Sequence, residues 1–142
     1  MLTRFAVTIV LLCFFGCIDN GSQPVPLDPY ARWRSFGLHN YTIDQTRMCF
    51  CPLGGQMMRI TVRSDTVASV VNLTDSSAVS PPLSVLYLSV DSLFGIIQRG
   101  RGDSLVTTFN ATYGYPETLD INPQVHPVDG GVLYTTTNLY IP

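Results

Sequence analysis

The stretch Arg47-Met48-Cys49-Phe50-Cys51-Pro52 gathers the softest and most reactive side chains of the sequence. Two thiols stand two residues apart, with Met48 before them and Met57 and Met58 shortly after. Such a group is open to three chemistries: Cu(I) binding through soft sulfur ligands, thiol redox exchange, or a structural disulfide. In a strand, alternate side chains point to opposite faces. That separates Met48 from Cys49 and leaves Met58 as the methionine able to meet the thiols. A structural zinc site needs four ligands, usually as two pairs, and residues 18–142 hold a single cysteine pair. No metal site is assigned. A Cys-x-x-Cys pair opening a helix, the usual redox arrangement, is absent. The expectation is a local disulfide between Cys49 and Cys51. Residues i and i+2 of a flat strand lie about 6.6 Å apart, at the edge of disulfide geometry. The strand must therefore pucker or stop at Cys51, and Pro52 and Gly54-Gly55 suit a stop.

Catalytic constellations are sparse. His39 falls between a helix and a strand, and His126 lies in a proline-rich connection. Neither a Gly-x-Ser-x-Gly nor a His-Glu-x-x-His pattern occurs, and no glycine loop of the phosphate-cradling kind. Asp120 and Asp129 have no recognisable partner pattern, and nothing in the spacing selects a Cys-His pair from Cys49 or Cys51 with His39. The chain is read as non-enzymatic, with no cofactor and no catalytic residue.

The first residues set the location. Arg4 precedes an uncharged apolar run, Phe5 to Phe15, too short to span a bilayer and followed by small and polar residues. Cys17 follows Gly16 at the end of that run. This resembles a bacterial lipoprotein signal, with residues 1–16 removed and Cys17 acylated as the lipid anchor. Residues 17–27, including Ser22 to Pro26, read as anchor and extended tether, and residues 28–142 as one domain. The expected place is exported, lipid-anchored to a membrane of the cell envelope. From Cys17 onward seven arginines and no lysine face ten carboxylates, a net charge of −3. That mild acidity gives no basic patch for nucleic acid. Asn40, Asn72 and Asn110 open Asn-x-Thr triplets, read as unused in a bacterial setting.

Asp28-Pro29 caps and starts a short helix that Gly37 ends, with Tyr30, Trp33 and Phe36 along one face. Residues 41–51 alternate as a strand. Gln56 to Ser64 and Thr66 to Leu73 form a hairpin about Ser64-Asp65. Ser89 caps a second helix with the stripe Val90, Leu93, Phe94 and Ile97, closed by Arg99-Gly100. Three more strands follow, rich in Thr, Val, Tyr and Leu. The expected fold is α+β: a single antiparallel sheet of about six strands, both helices on one face, in the order α-β-β-β-α-β-β-β. Tyr113, Tyr115 and Pro116 form an aromatic turn, a possible binding surface.

Several of these features occur together, in order: Trp33 in the first helix; Tyr41 followed by Cys49-Phe50-Cys51; Arg59 to Arg63; Asp91 with Leu93, Phe94 and Ile97; Tyr113 to Pro116 with Ile121. In this the chain resembles an uncharacterised bacterial domain-of-unknown-function family of exported proteins and lipoproteins, marked by a C-F-C motif and a later Y-G-Y-P turn. Members often carry Asp-Pro where this chain has Asn110-Ala111, and Thr135 to Asn138 replace a charged last strand. The resemblance implies location and fold and transfers no activity. The functional expectation is an envelope lipoprotein, a binding or structural module for an envelope protein or cell-wall component. The alternative is a periplasmic thiol-redox or copper-handling protein using Cys49 and Cys51.

Overall fold

The computed structural model describes residues 28–100, 104–128 and 130–142. The expected signal, the anchor Cys17 and the tether lie outside the described residues. Six strands form one antiparallel sheet: β1 (Tyr41–Met48), β2 (Met57–Arg63), β3 (Thr66–Asn72), β4 (Leu105–Phe109), β5 (Pro116–Ile121) and β6 (Val132–Tyr140), in the spatial order β3-β2-β1-β6-β5-β4. Helix α1 (Pro29–Ser35) precedes β1, and α2 (Val90–Arg99) joins β3 at one edge to β4 at the other. Two 3-10 turns, Ser84–Leu86 and Pro123–Val128, sit in the connections before α2 and before β6. Among the described residues no helix is long and apolar enough to cross a membrane.

Local chemistry sets the helix ends. The Asp28 carboxylate accepts from Ala31 N–H at 2.7 Å, Pro29 opens the first turn, and Gly37 takes φ +58° just past the end. Ser89 Oγ accepts from Ser92 N–H, and Gly100 closes α2 in the left-handed region.

Register places Tyr41 opposite Val62, Ile43 opposite Ile60 and Gln45 opposite Met58, all on one face and all buried. Both helices cover that face. Trp33, Val90 and Phe94 join these strand residues in the main core, and Leu93 packs with Leu119 and Tyr134 beside it. The Trp33 ring stands edge-on to Tyr41, with centroids 5.3 Å apart, and Tyr30 meets Phe94 at 4.9 Å. Polar groups fix how α2 seats on β1. The buried Tyr41 hydroxyl accepts from Val90 N–H at 2.9 Å. The Gln45 amide exchanges two hydrogen bonds with the Leu88 backbone, at 3.0 and 3.3 Å.

The sheet has two distinct ends. The start of β1, the Ser64-Asp65 turn and the end of β6 lie together, since Tyr41 faces Val62 and Thr42 faces Tyr140. The end of β1 and the start of β6 lie at the other, where Met48 faces Leu133. β1 spans about 23 Å between them, at roughly 3.3 Å per residue.

Candidate functional site

At the far end of β1 the chain leaves the sheet at Met48, three residues sooner than the alternation suggested. Gly55 N–H donates back to Arg47 O at 3.0 Å, and Gly54 N–H to Cys51 O at 3.1 Å, so the chain closes into a tight loop. A Cβ at Gly54 would stand 2.5 Å from Cys49 O, so only glycine fits there. Within this loop Cys49 and Cys51 bring their sulfurs to bonding distance, with Cα atoms 5.3 Å apart. That is well inside the disulfide range, and shorter than a flat strand allows, because the strand has already ended. Arg47 Nη1 donates to Cys49 Sγ at 3.0 Å and to Cys51 Sγ at 2.8 Å. Phe50, between the cysteines, is 88% exposed. The methionines do not converge on the sulfurs. Met58 is a core residue opposite Gln45, and Met48 and Met57 lie on the helix-free face of the sheet, exposed. Among the described residues, no group of three or more His, Cys, Asp or Glu side chains is placed to hold a metal.

The aromatic turn is largely buried. Tyr115 is only 5% exposed and stands edge-on to Trp33, and Pro116 is buried at the start of β5. Tyr113 is half-buried against Phe36, with ring centroids 4.9 Å apart. Gly114, at φ +83°, presses against the Pro29 carbonyl, and Arg32 Nη1 donates to Ala111 O at 2.6 Å. The turn docks α1, with Tyr115 and Pro116 turned into the packing and Tyr113 half-buried beside Phe36. Aromatic composition gives the same signal for packing and for binding.

The opposite end of the sheet holds a cavity that sequence reasoning did not find. Its volume is about 390 Å³, and it is lined by Tyr30, Trp33, Arg34, Gly37, Leu38, His39, Asp65 and Asp91. Three segments distant in sequence make it: α1 with its exit, the β2–β3 turn, and the first turn of α2. The turn is unusual. Ser64 and Asp65 both adopt positive φ, +47° and +64°, where hairpins favour Asn-Gly. Asn40 and His39 hold it: Ser64 N–H donates to Asn40 Oδ1 at 3.2 Å and Asp65 N–H to His39 O at 3.1 Å. His39 Nδ1 in turn lies 2.9 Å from both Asp65 carboxylate oxygens. Arg34 sits over the Tyr30 ring and donates to its hydroxyl at 3.2 Å. The cavity therefore offers an aromatic wall, one guanidinium, an imidazole and two carboxylates. His126 falls in the 3-10 turn between β5 and β6.

The helix-free face also carries a buried carboxylate with its partner. Asp44 is 2% exposed there, paired with Arg59 through both carboxylate oxygens at 2.9 and 3.0 Å, and accepting from Asn138 Nδ2 at 3.1 Å. The Asp44 pair holds the Arg59 guanidinium even more firmly in its charged form.

The model of a family of unknown function, DUF6174, matches residues 28–141. The chain belongs to this family. The match spans every helix and strand described above, and so contains both the cysteine loop and the cavity. Cys17 precedes the DUF6174 region. Searches of curated proteins and of solved structures gave no match.

Proposed function

We propose that this chain is a non-enzymatic envelope lipoprotein, held to a membrane by a lipid on Cys17, that binds a cell-wall component in the cavity between α1, the Ser64-Asp65 turn and α2. The observation that carries this reading is the cavity itself. Its volume is in the range of ligand sites, and its wall joins an apolar ring surface to a few convergent polar groups. The left-handed backbone at Ser64 and Asp65 is the conformation a tight two-residue hairpin turn requires. Here it sets the Asp65 carboxylate against His39. A fragment with a sugar or short-peptide skeleton would lie beside the aromatic wall and exchange hydrogen bonds with Asp65, Asp91 and Arg34.

Trp33 is the sole tryptophan of the chain and lines the cavity, so its emission reports directly. Titration with solubilised cell-wall fragments should shift or quench it in a saturable manner. Asp91→Asn together with His39→Ala should weaken the apparent affinity about tenfold or more. Emission indifferent to every fragment class would remove the proposal.

A further inference from the structure

Reduction of the cysteine pair would complete an ion pair that the oxidised loop leaves unfinished. The Arg47 side chain is half-buried, and its Nε is buried without a hydrogen-bond partner. Its Nη1 is spent on the two sulfurs. Disulfide sulfur is neutral and a weak acceptor, so it compensates a desolvated guanidinium poorly. A thiolate in the same place is a full counter-charge and accepts charge-assisted hydrogen bonds. The groups around the pair are Arg47 from β1, Tyr87 from the segment entering α2, and Tyr134 of β6, which faces Arg47 in register. Burial raises the Tyr87 phenol, and the nearby Arg47 charge pulls it partly back. Arg47 thus supplies the positive field here. In the loop, Phe50 stands exposed between the two cysteines.

We propose that Cys49–Cys51 is a thiol–disulfide exchange site for cysteine thiols of extended or unfolded polypeptides, with Arg47 stabilising the departing thiolate and Phe50 contacting apolar residues beside the substrate cysteine. A substrate thiolate attacks one sulfur of the pair. The S–S bond breaks, a mixed disulfide forms, and the electron pair leaves on the other protein sulfur next to Arg47 Nη1. A second substrate thiolate attacks the substrate sulfur of the mixed disulfide and releases the first protein sulfur. The protein gains two electrons and, from solvent, the protons its thiols take up; two substrate thiols become one disulfide. This capacity is stoichiometric, lies at the opposite end of the sheet from the cavity, and is independent of ligand binding there.

The test uses the full-length protein in detergent with its pair oxidised. Reduced glutathione and a cysteine peptide with aromatic neighbours are each added, and protein thiols are counted by alkylation and mass. The reduced protein is then titrated by the ultraviolet absorbance of its thiolates. The first thiolate should titrate about one unit or more below the ordinary value of roughly 8.5. Arg47→Met should raise it and slow reduction by glutathione about fivefold, and Arg47→Lys should recover most of the rate. Phe50→Ser should slow the peptide and spare glutathione. A pair that resists both thiols in large excess, or a first thiolate titrating at or above the ordinary value, overturns the proposal on the wild type alone, whatever the folding of the variants. An unchanged rate in a folded Arg47→Met overturns the role of Arg47, and equal slowing of both thiols in Phe50→Ser overturns the polypeptide substrate.

Discussion

Single residues on β1 show how the two faces of the sheet are kept distinct. Tyr41 and Gln45 point to the helices and bind the backbone that enters α2, while Asp44 points the other way and is sealed by Arg59 and Asn138. Arg59→Met would leave the Asp44 carboxylate buried with one donor. Since Arg59 is itself half exposed, the loss should be about 2 kcal/mol, less than for a fully buried pair, as read by denaturant unfolding. Gln45→Leu keeps the volume but orphans the Leu88 N–H and C=O. It should cost about 2–3 kcal/mol. Tyr41 gives a pH dependence. Burial raises its phenol far above the ordinary value, and the N–H of Val90 only partly offsets this. The folded state therefore disfavours the phenolate. Its contribution to stability is complete below about pH 10, where the unfolded tyrosine titrates, and is lost as pH rises toward the higher folded value. Alkaline unfolding should set in near pH 10, and the slope of stability against pH should flatten in Tyr41→Phe, at the cost of the hydrogen bond to Val90.

Elements add constraints that no single residue carries. Gly54 lets the C-F-C loop close, and Gly114 lets the 110–115 connection seat α1. Gly54→Ala should cost about 1–3 kcal/mol and open the loop. Gly114→Ala, which adds a clash with the Pro29 carbonyl to a positive φ, should cost more, with thermal unfolding as the check. Both helices were legible in the sequence because their signals are local: Asp28 and Pro29 at one start, Ser89 at the other, Gly37 and Gly100 at the ends. The strands were legible from alternation, and short connections forced antiparallel pairing. What stayed hidden depends on contacts between distant segments. Alternation alone carried β1 on to Cys51, since a backbone turn made by Gly54 and Gly55 leaves no mark in the hydrophobic pattern. Tyr113 to Pro116 could not be told from a surface turn without α1 packed against it. The cavity joins Arg34, His39, Asp65 and Asp91 from three segments, and no spacing in the sequence relates them. Asp44 and Arg59 could have been paired from the hairpin register, but not the bulged strand that brings Asn138 to them.

The whole molecule separates two sites by the length of β1. The cavity sits where the chain enters the domain, beside α1, and the cysteine loop with Phe50 sits at the far end. Substitutions at one should not alter the other, because effects at such separation add. The proposed anchor belongs to this scale as well. Cys17→Ser should abolish incorporation of labelled fatty acid. The central claim is that the cavity is where the ligand binds. It is tested most directly by mapping backbone amide shifts of the protein on addition of solubilised cell-wall fragments. The account predicts shifts concentrated at Tyr30, Trp33, His39, Asp65 and Asp91. Shifts confined to the helix-free face of the sheet or to the loop around Phe50, with the cavity residues unmoved, would contradict it.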